Sequence, residues 1–108
     1  IVRDNEILIT KGDKFAIGSF NPYTKSYTTH KIPLLKGDVI YVFSDGYADQ
    51  FGGVNGKKFM YKQFRETLLS IQALKMEEQG FALEKKIEDW KGSYEQVDDI
   101  LVIGVKIN

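Results

Sequence analysis

The chain has 108 residues, enough for one domain or a large part of one, and with 43% hydrophobic and 28% charged residues it has the make-up of a folded globular protein. Lys and Arg total 15, as do Asp and Glu, which removes the basic footprint of a nucleic-acid binder and any charge-based reason to dock on an anionic membrane. There is no cysteine, so disulfide frameworks and cysteine zinc sites are excluded, and a cytoplasmic home is expected, with any membrane anchor belonging to other domains of the parent protein.

Ile1–Val2 and Ile7–Ile9 flank the polar stretch Arg3-Asp4-Asn5-Glu6 and read as a hairpin. Ile1-Val2 has the character of the middle of a strand, so residues are expected upstream. Gly12-Asp13 and Asn21-Pro22 punctuate the next segment as loop and turn. Ser26–Ile32 is rich in Thr and β-branched residues and is expected to form a half-exposed strand. Lys36-Gly37-Asp38 then turns the chain into Val39-Ile40-Tyr41-Val42-Phe43, an unbroken apolar run that predicts a strand buried on both faces.

Helical spacing begins near Phe59. Phe64, Leu68 and Ile71 share one face of a helix expected over Tyr61–Ala73, and Met76, Gly80, Leu83, Ile87 and Trp90 form the stripe of a second helix, closed by Gly92. Tyr61, Phe64 and Trp90 are expected to pack in the core, and Glu77, Glu78, Glu84, Glu88 and Asp89 to form a solvated face. Ile100–Ile103, Val105 and Ile107 make a long closing strand. Neither this run nor Val39–Phe43 is long enough to cross a bilayer. Strands, then two helices, then one strand predict an α+β fold with helices on a mostly antiparallel sheet.

Two carboxylate positions carry chemical interest. Asp45 lies in Ser44-Asp45-Gly46, directly after the apolar strand, and Asp98-Asp99 directly precedes the last one. Hard cations such as Mg²⁺ and Mn²⁺ take oxygen ligands, and acids at strand ends supply them with little reorganisation. If the two strands are neighbours, Asp45 and Asp98 meet at one sheet edge. By spacing alone, turn chemistry is favoured over a metal site at Asp45-Gly46, and Asp98-Asp99 reads as a solvated strand-terminating pair. The Gly52-Gly53-Val54-Asn55-Gly56-Lys57-Lys58 stretch lacks the spacing of a phosphate-cradling P-loop and is expected to be a flexible connection, with Lys57 and Lys58 as candidate contacts to a substrate phosphate. His30, the single histidine, has the setting of a surface residue.

The stretch Leu35-Lys36-Gly37-Asp38-Val39-Ile40-Tyr41-Val42-Phe43-Ser44-Asp45-Gly46 resembles the "GD, apolar strand, [ST]DG" segment of the stage II sporulation protein E-like phosphatases, bacterial members of the PPM-type metal-dependent serine/threonine phosphatases. Gln96-Val97-Asp98-Asp99-Ile100-Leu101-Val102-Ile103 resembles the family's closing segment, except that Leu101 stands where Thr is usual. The resemblance implies the C-terminal portion of a single domain over residues 1–108, part of an α/β/β/α four-layer β-sandwich, with its N-terminal half missing. It implies that Asp45 and Asp98 are metal ligands, that Asp99 supports the loop and Gly46 permits the sharp exit from the strand. Two Mn²⁺ or Mg²⁺ ions would serve the complete domain, activating water to hydrolyse phosphoserine or phosphothreonine.

A phosphorylated regulator akin to an anti-anti-sigma factor is the implied partner, in bacterial signalling. The family's upstream GD-x-x-GHG-like motif has no counterpart here, so the chain alone is expected to bind metal weakly and to have little activity. Two rivals remain: a non-catalytic interaction domain on a degenerate phosphatase fold, and a Ca²⁺-stabilised structural module. A homodimer that covers an incomplete sandwich is also expected.

Overall fold

A computed structural model describes residues 1–14 and 26–108. The expected turn at Asn21-Pro22 lies outside the described residues. Strands β1 (Val2–Arg3), β2 (Glu6–Ile7) and β3 (Val39–Phe43) are followed by the short helix α1 (Gly46–Asp49), by β4 (Phe51–Gly52) and β5 (Lys57–Lys58), by helices α2 (Tyr61–Ser70) and α3 (Met76–Lys91), and by β6 (Val102–Lys106). The main sheet runs β2-β1-β3-β6 with every neighbour antiparallel, and β4-β5 is a separate hairpin. No helix among the described residues is long and apolar enough to cross a membrane.

Local sequence explains most of these elements. Asp4 and Asn5 take positive φ values of 49° and 61°, the twist that a two-residue hairpin turn needs and that short polar side chains tolerate. The Asp38 N–H bonds the Leu35 carbonyl at 3.0 Å around Gly37, whose φ of 92° only glycine adopts cheaply. Helix α2 ends at Ser70, short of the expected Ala73, because the Gln72 side chain turns back to donate to the Leu68 carbonyl at 2.7 Å, taking over one of the acceptors that helix termini leave open.

Three expectations need correction. Ser26–Ile32 forms no strand. Instead the Thr28 N–H and hydroxyl both donate to the Asp13 carboxylate, the hydroxyl at 3.1 Å, side-chain bonds in place of a ladder. On α3 the buried stripe runs through Gln79, Leu83 and Ile87, a row of successive four-residue steps, whereas Gly80 lies off that row and faces open space. Strand β3 is buried on one face only. Val39 and Tyr41 lie under the helices, while the cross-strand pairs Ile40↔Val105 and Val42↔Ile103 form an apolar outer face on which Val42 is 56% exposed and Val105 50%. All described helices pack on the Val39–Tyr41 side.

The core beneath the helices is aromatic. Tyr47, Phe59 and Phe64 are buried, with the Tyr47 ring 5.3 Å from Phe59 and 4.7 Å from Phe64. The Tyr47 hydroxyl donates to the Leu83 carbonyl at 2.7 Å, so its burial leaves no polar atom without a partner, and that burial raises its pKa. Trp90 packs edge-on against Phe59 at 5.5 Å and donates its indole N–H to the Gln50 carbonyl at 2.9 Å. The expected flexible connection at residues 52–58 is therefore an ordered hairpin. The Gly53 N–H bonds the Trp90 carbonyl at 2.8 Å, and a Cβ on Gly52 would lie 1.9 Å from that same oxygen. These glycines seat Trp90 and do not cradle phosphate.

One ion pair ties the first hairpin to the turn that opens β3. Arg3 donates through Nε to Asp38 Oδ1 at 2.9 Å and through Nη2 to Oδ2 at 2.7 Å, and the Leu35 N–H adds a bond to Oδ2 at 2.9 Å. Asp38 is buried, and the Arg3 fork followed by the Leu35 amide holds its carboxyl at about 2, below the usual 3.8. A carboxyl depressed on folding adds stability above its unfolded pKa and loses it as pH falls toward the folded one. Denaturant unfolding between pH 5 and pH 2 will therefore show a loss of stability on acidification that is smaller in Asp38→Asn, which is also less stable at pH 7. Because Gly80 sits exposed in mid-helix with room for a methyl group, Gly80→Ala will raise stability by about 0.5–1 kcal/mol in the same measurement.

Candidate metal-binding edge

Strands β3 and β6 are paired in register from Val39↔Lys106 to Phe43↔Val102, which sets the exit of β3 beside the entry of β6. Ser44 joins the two corners. Its N–H bonds the Leu101 carbonyl at 3.0 Å, its hydroxyl donates to the Asp99 carbonyl at 2.7 Å, and its Oγ accepts the Leu101 N–H at 3.0 Å. The segment Ser44-Asp45-Gly46 thus lies directly against Asp98-Asp99-Ile100, the meeting that the sequence allowed only on the condition that these strands are neighbours. Ser44 itself carried no assigned role in the sequence reading.

Gly46 marks how close the corners are. A Cβ there would lie 2.1 Å from the Asp99 carbonyl oxygen and 2.7 Å from its carbon, both backbone atoms that cannot swing aside. The demand on Gly46 is thus close approach of two backbones and not a positive φ.

Asp45 precedes α1 and makes no side-chain cap to it. Its carboxylate is exposed and accepts a hydrogen bond at Oδ1 from the Tyr61 hydroxyl. That bond, with burial and the Asp45 and Asp49 charges behind it, pushes the Tyr61 hydroxyl up to about 12, so it stays a donor at neutral pH. Tyr61 was expected to be only a packing residue. Its ring does lean on Phe43 at 6.0 Å, but its hydroxyl reaches the site. Met60 sets it there: it holds φ 74° and ψ 154°, a conformation that non-glycine residues avoid, pinned by its N–H to the Ala48 carbonyl at 2.8 Å and by the Phe64 N–H to its own carbonyl at 3.1 Å. No periodicity in the sequence signals such a backbone.

Asp98 is exposed and accepts the Asp99 N–H at Oδ1, 2.8 Å away. Asp99 holds the corner through its backbone carbonyl. Lys58 sits at the end of the β4–β5 hairpin with its ammonium 3.7 Å from Asp49 and 5.8 Å from the centre of the Phe51 ring; Lys57 is exposed beside it. His30 is exposed outside any regular element.

Carboxylate oxygens from Asp45 and Asp98 at one rigid edge are the donor type that Mg²⁺ or Mn²⁺ accepts. They fit as part of such a site and not as the whole, since no group of three or more His, Cys, Asp or Glu side chains converges among the described residues. Replacing Gly46 by Ala will force the two corners apart, lower stability by about 1–3 kcal/mol in denaturant unfolding, and speed amide exchange at Leu101, whose N–H depends on Ser44.

Comparison with known proteins bears on the family and the fold. The sequence matches the family described as stage II sporulation protein E (SpoIIE) over residues 1–108. No curated protein matches it significantly. Among solved structures, the SiaA-PP2C domain of Pseudomonas aeruginosa superposes with a TM-score of 0.73 at 27% identity, covering 78% of this chain and 34% of that one. The chain thus spans about a third of the length of that structure. Its α+β architecture of antiparallel sheet and helices is close to a PP2C domain fold, and the chain belongs to the stage II sporulation protein E family of phosphatase-fold domains.

Proposed function

We propose that this chain is the C-terminal portion of a PPM-type, metal-dependent protein serine/threonine phosphatase domain, and that Asp45 and Asp98 contribute ligands to its Mn²⁺ or Mg²⁺ site. The observation that carries the reading is the joining of the two acidic corners by Ser44 and the close approach of Gly46 to Asp99. Asp45 and Asp98 would hold part of the coordination of a divalent cation there, which would supply positive charge toward phosphoryl oxygens and lower the pKa of water. The chain's own residues fix the geometry. Ser44 and the Asp99 backbone hold Asp45 and Asp98 at one edge, and the Tyr61 hydroxyl fixes the rotation of the Asp45 carboxylate by occupying Oδ1. Lys57 and Lys58 on the adjacent hairpin stand as contacts for substrate phosphate. A phosphorylated regulatory protein of the anti-anti-sigma type, in the bacterial cytoplasm, is the substrate class proposed.

One observation favours a second reading. Two acids do not complete a metal site among the described residues, which is also what a phosphatase fold kept for protein binding would show. Metal binding and activity separate the two. In the 108-residue chain, dilute Mn²⁺ will broaden the amide resonances of Asp45, Gly46, Asp98 and Asp99 before others, and Asp45→Asn will abolish that pattern. In a longer chain carrying the rest of the domain, Mn²⁺-dependent hydrolysis of p-nitrophenyl phosphate will collapse in Asp45→Asn and fall about 10-fold in Tyr61→Phe, the size expected of a group that orients a ligand. Mn²⁺ broadening that does not single out these residues, or an inactive longer chain, would assign the fold to protein binding.

A further inference from the structure

Directly after α1 the chain enters the β4–β5 hairpin, whose two legs divide their side chains between an inner and an outer face. Gln50 and Phe59 turn inward and are buried, with the Phe59 N–H bonded to the Gln50 carbonyl at 2.9 Å. Side chains alternate along a strand, so the next cross-strand pair, Phe51↔Lys58, turns outward. Met60, which follows the buried Phe59, turns outward as well. Phe51 is 38% exposed and Met60 58%.

This outer face is continuous with the acidic edge. Asp49 stands one turn after Asp45 on α1, its N–H bonded to the Asp45 carbonyl at 3.0 Å, and its charge acts together with that of Asp45 on the Tyr61 hydroxyl. The Lys58 ammonium lies 3.7 Å from the Asp49 carboxylate and 5.8 Å from the centre of the Phe51 ring. Both distances start from one atom, so the ring lies within about three extended residues of Asp49, at about 3.3 Å each. Outward from Asp45 the surface thus presents carboxylates, then an ammonium, then an aromatic ring. The hairpin that carries them is braced from behind. Its Gly53 N–H is bonded to the Trp90 carbonyl at 2.8 Å, and the Trp90 indole N–H to the Gln50 carbonyl at 2.9 Å.

We propose that this outer face is a docking shelf for the substrate polypeptide, and that Phe51 is a specificity-determining residue that packs against an apolar side chain within about three residues of the phosphoserine or phosphothreonine. The inference rests on the phosphatase reading, because a phosphate held at the Asp45–Asp98 edge is what fixes where its flanking residues lie. The order along the shelf matches the order along such a ligand, with the phosphate on the side of the ammonium and an apolar residue beyond it. The occupant is an extended phosphopeptide segment because the apolar surface is one ring and one methionine beside two charges. The broad apolar face of a folded partner would strip water from Asp49 and Lys58, whereas a single side chain on the ring leaves both hydrated. A rigid aromatic on a braced hairpin is also the kind of group that contributes most to peptide recognition.

The test uses the longer chain carrying the rest of the domain, in Mn²⁺, with three substrates. These are p-nitrophenyl phosphate, a phosphoserine peptide with Leu and Ile flanking the phosphoserine on both sides, and the same peptide with Ser and Gly in those places. The unsubstituted chain will favour the apolar peptide about tenfold in kcat/KM. Phe51→Ala will cut that preference to less than about threefold, chiefly through KM, and Phe51→Leu will keep most of it. Neither substitution will change hydrolysis of p-nitrophenyl phosphate, which has no flanking residues. With p-nitrophenyl phosphate hydrolysed, an unsubstituted chain without preference, or a preference that survives in Phe51→Ala, would overturn the shelf and leave the phosphatase reading standing. An equal loss on all three substrates in Phe51→Ala, or a lowered unfolding midpoint with the preference intact, would overturn it too and assign Phe51 to the protein's own packing. No hydrolysis of any substrate by the unsubstituted chain would overturn the phosphatase reading, and the shelf with it.

Discussion

The register of β3 against β6 is the constraint on which the rest depends. Side chains alternate between faces with a period of two, so a slip of one residue would turn Val39 and Tyr41 away from the helices and move Ser44 off Leu101 and Asp99. The same register sets Gly104 opposite Tyr41, where a Cβ would sit 3.0 Å from the Met76 methyl and 3.1 Å from the Tyr41 ring. The start of α3 can cross β6 closely because that residue has no side chain. Packing of the helix layer and juxtaposition of Asp45 with Asp98 are thus two consequences of one pairing.

Helix α2 couples the core to the site. Its N-terminal turn is placed by backbone bonds from Phe59 to Gln50 and from Met60 to Ala48, and those same residues of the α1 region follow directly from the Ser44-Asp45-Gly46 corner. Phe59 and Phe64 anchor the turn from inside by packing on Tyr47, so Tyr61 is left one orientation, across Asp45. The unfavourable backbone at Met60 is sustained by this surrounding packing, the usual circumstance in which such conformations persist. Trp90, Gln50 and the β4–β5 hairpin extend the same rigid block, the Gln50 amide reaching the Glu95 carbonyl at 2.9 Å just ahead of the Asp98 corner.

Among the described residues the main sheet has helices on one face and in-register apolar pairs on the other, and its β3 edge is only partly paired beside β1. Open apolar faces and open edges are features that stable domains cover. Asp45 lies on the same side of the molecule, lining a pocket with Tyr41, Phe43 and Phe64 beside β3.

Local chemistry written in the chain determined a good deal. The Asp4-Asn5 turn, the Gly37 turn, the five residues of β3, the helical stripes through Phe64–Leu68 and Leu83–Ile87 and the Gly92 stop all follow from propensity and period, which act over a few residues. The two acidic motifs were visible too, as acids at strand ends. Tertiary structure decided what depends on partners distant in sequence. Ser26–Ile32 had strand composition, yet Thr28 is engaged by the Asp13 carboxylate and no ladder forms there, and β3 looked buried on both faces because its residues are apolar whether or not anything covers them. Gly52 and Gly53 looked like a loop until Trp90, far along the chain, was laid on them. Tyr61 became part of the site through a backbone strain at Met60 that no residue pattern encodes. Asp45 and Asp98 became one edge only through the β3–β6 register, because sequence fixes which residues end strands while pairing fixes which strand ends meet.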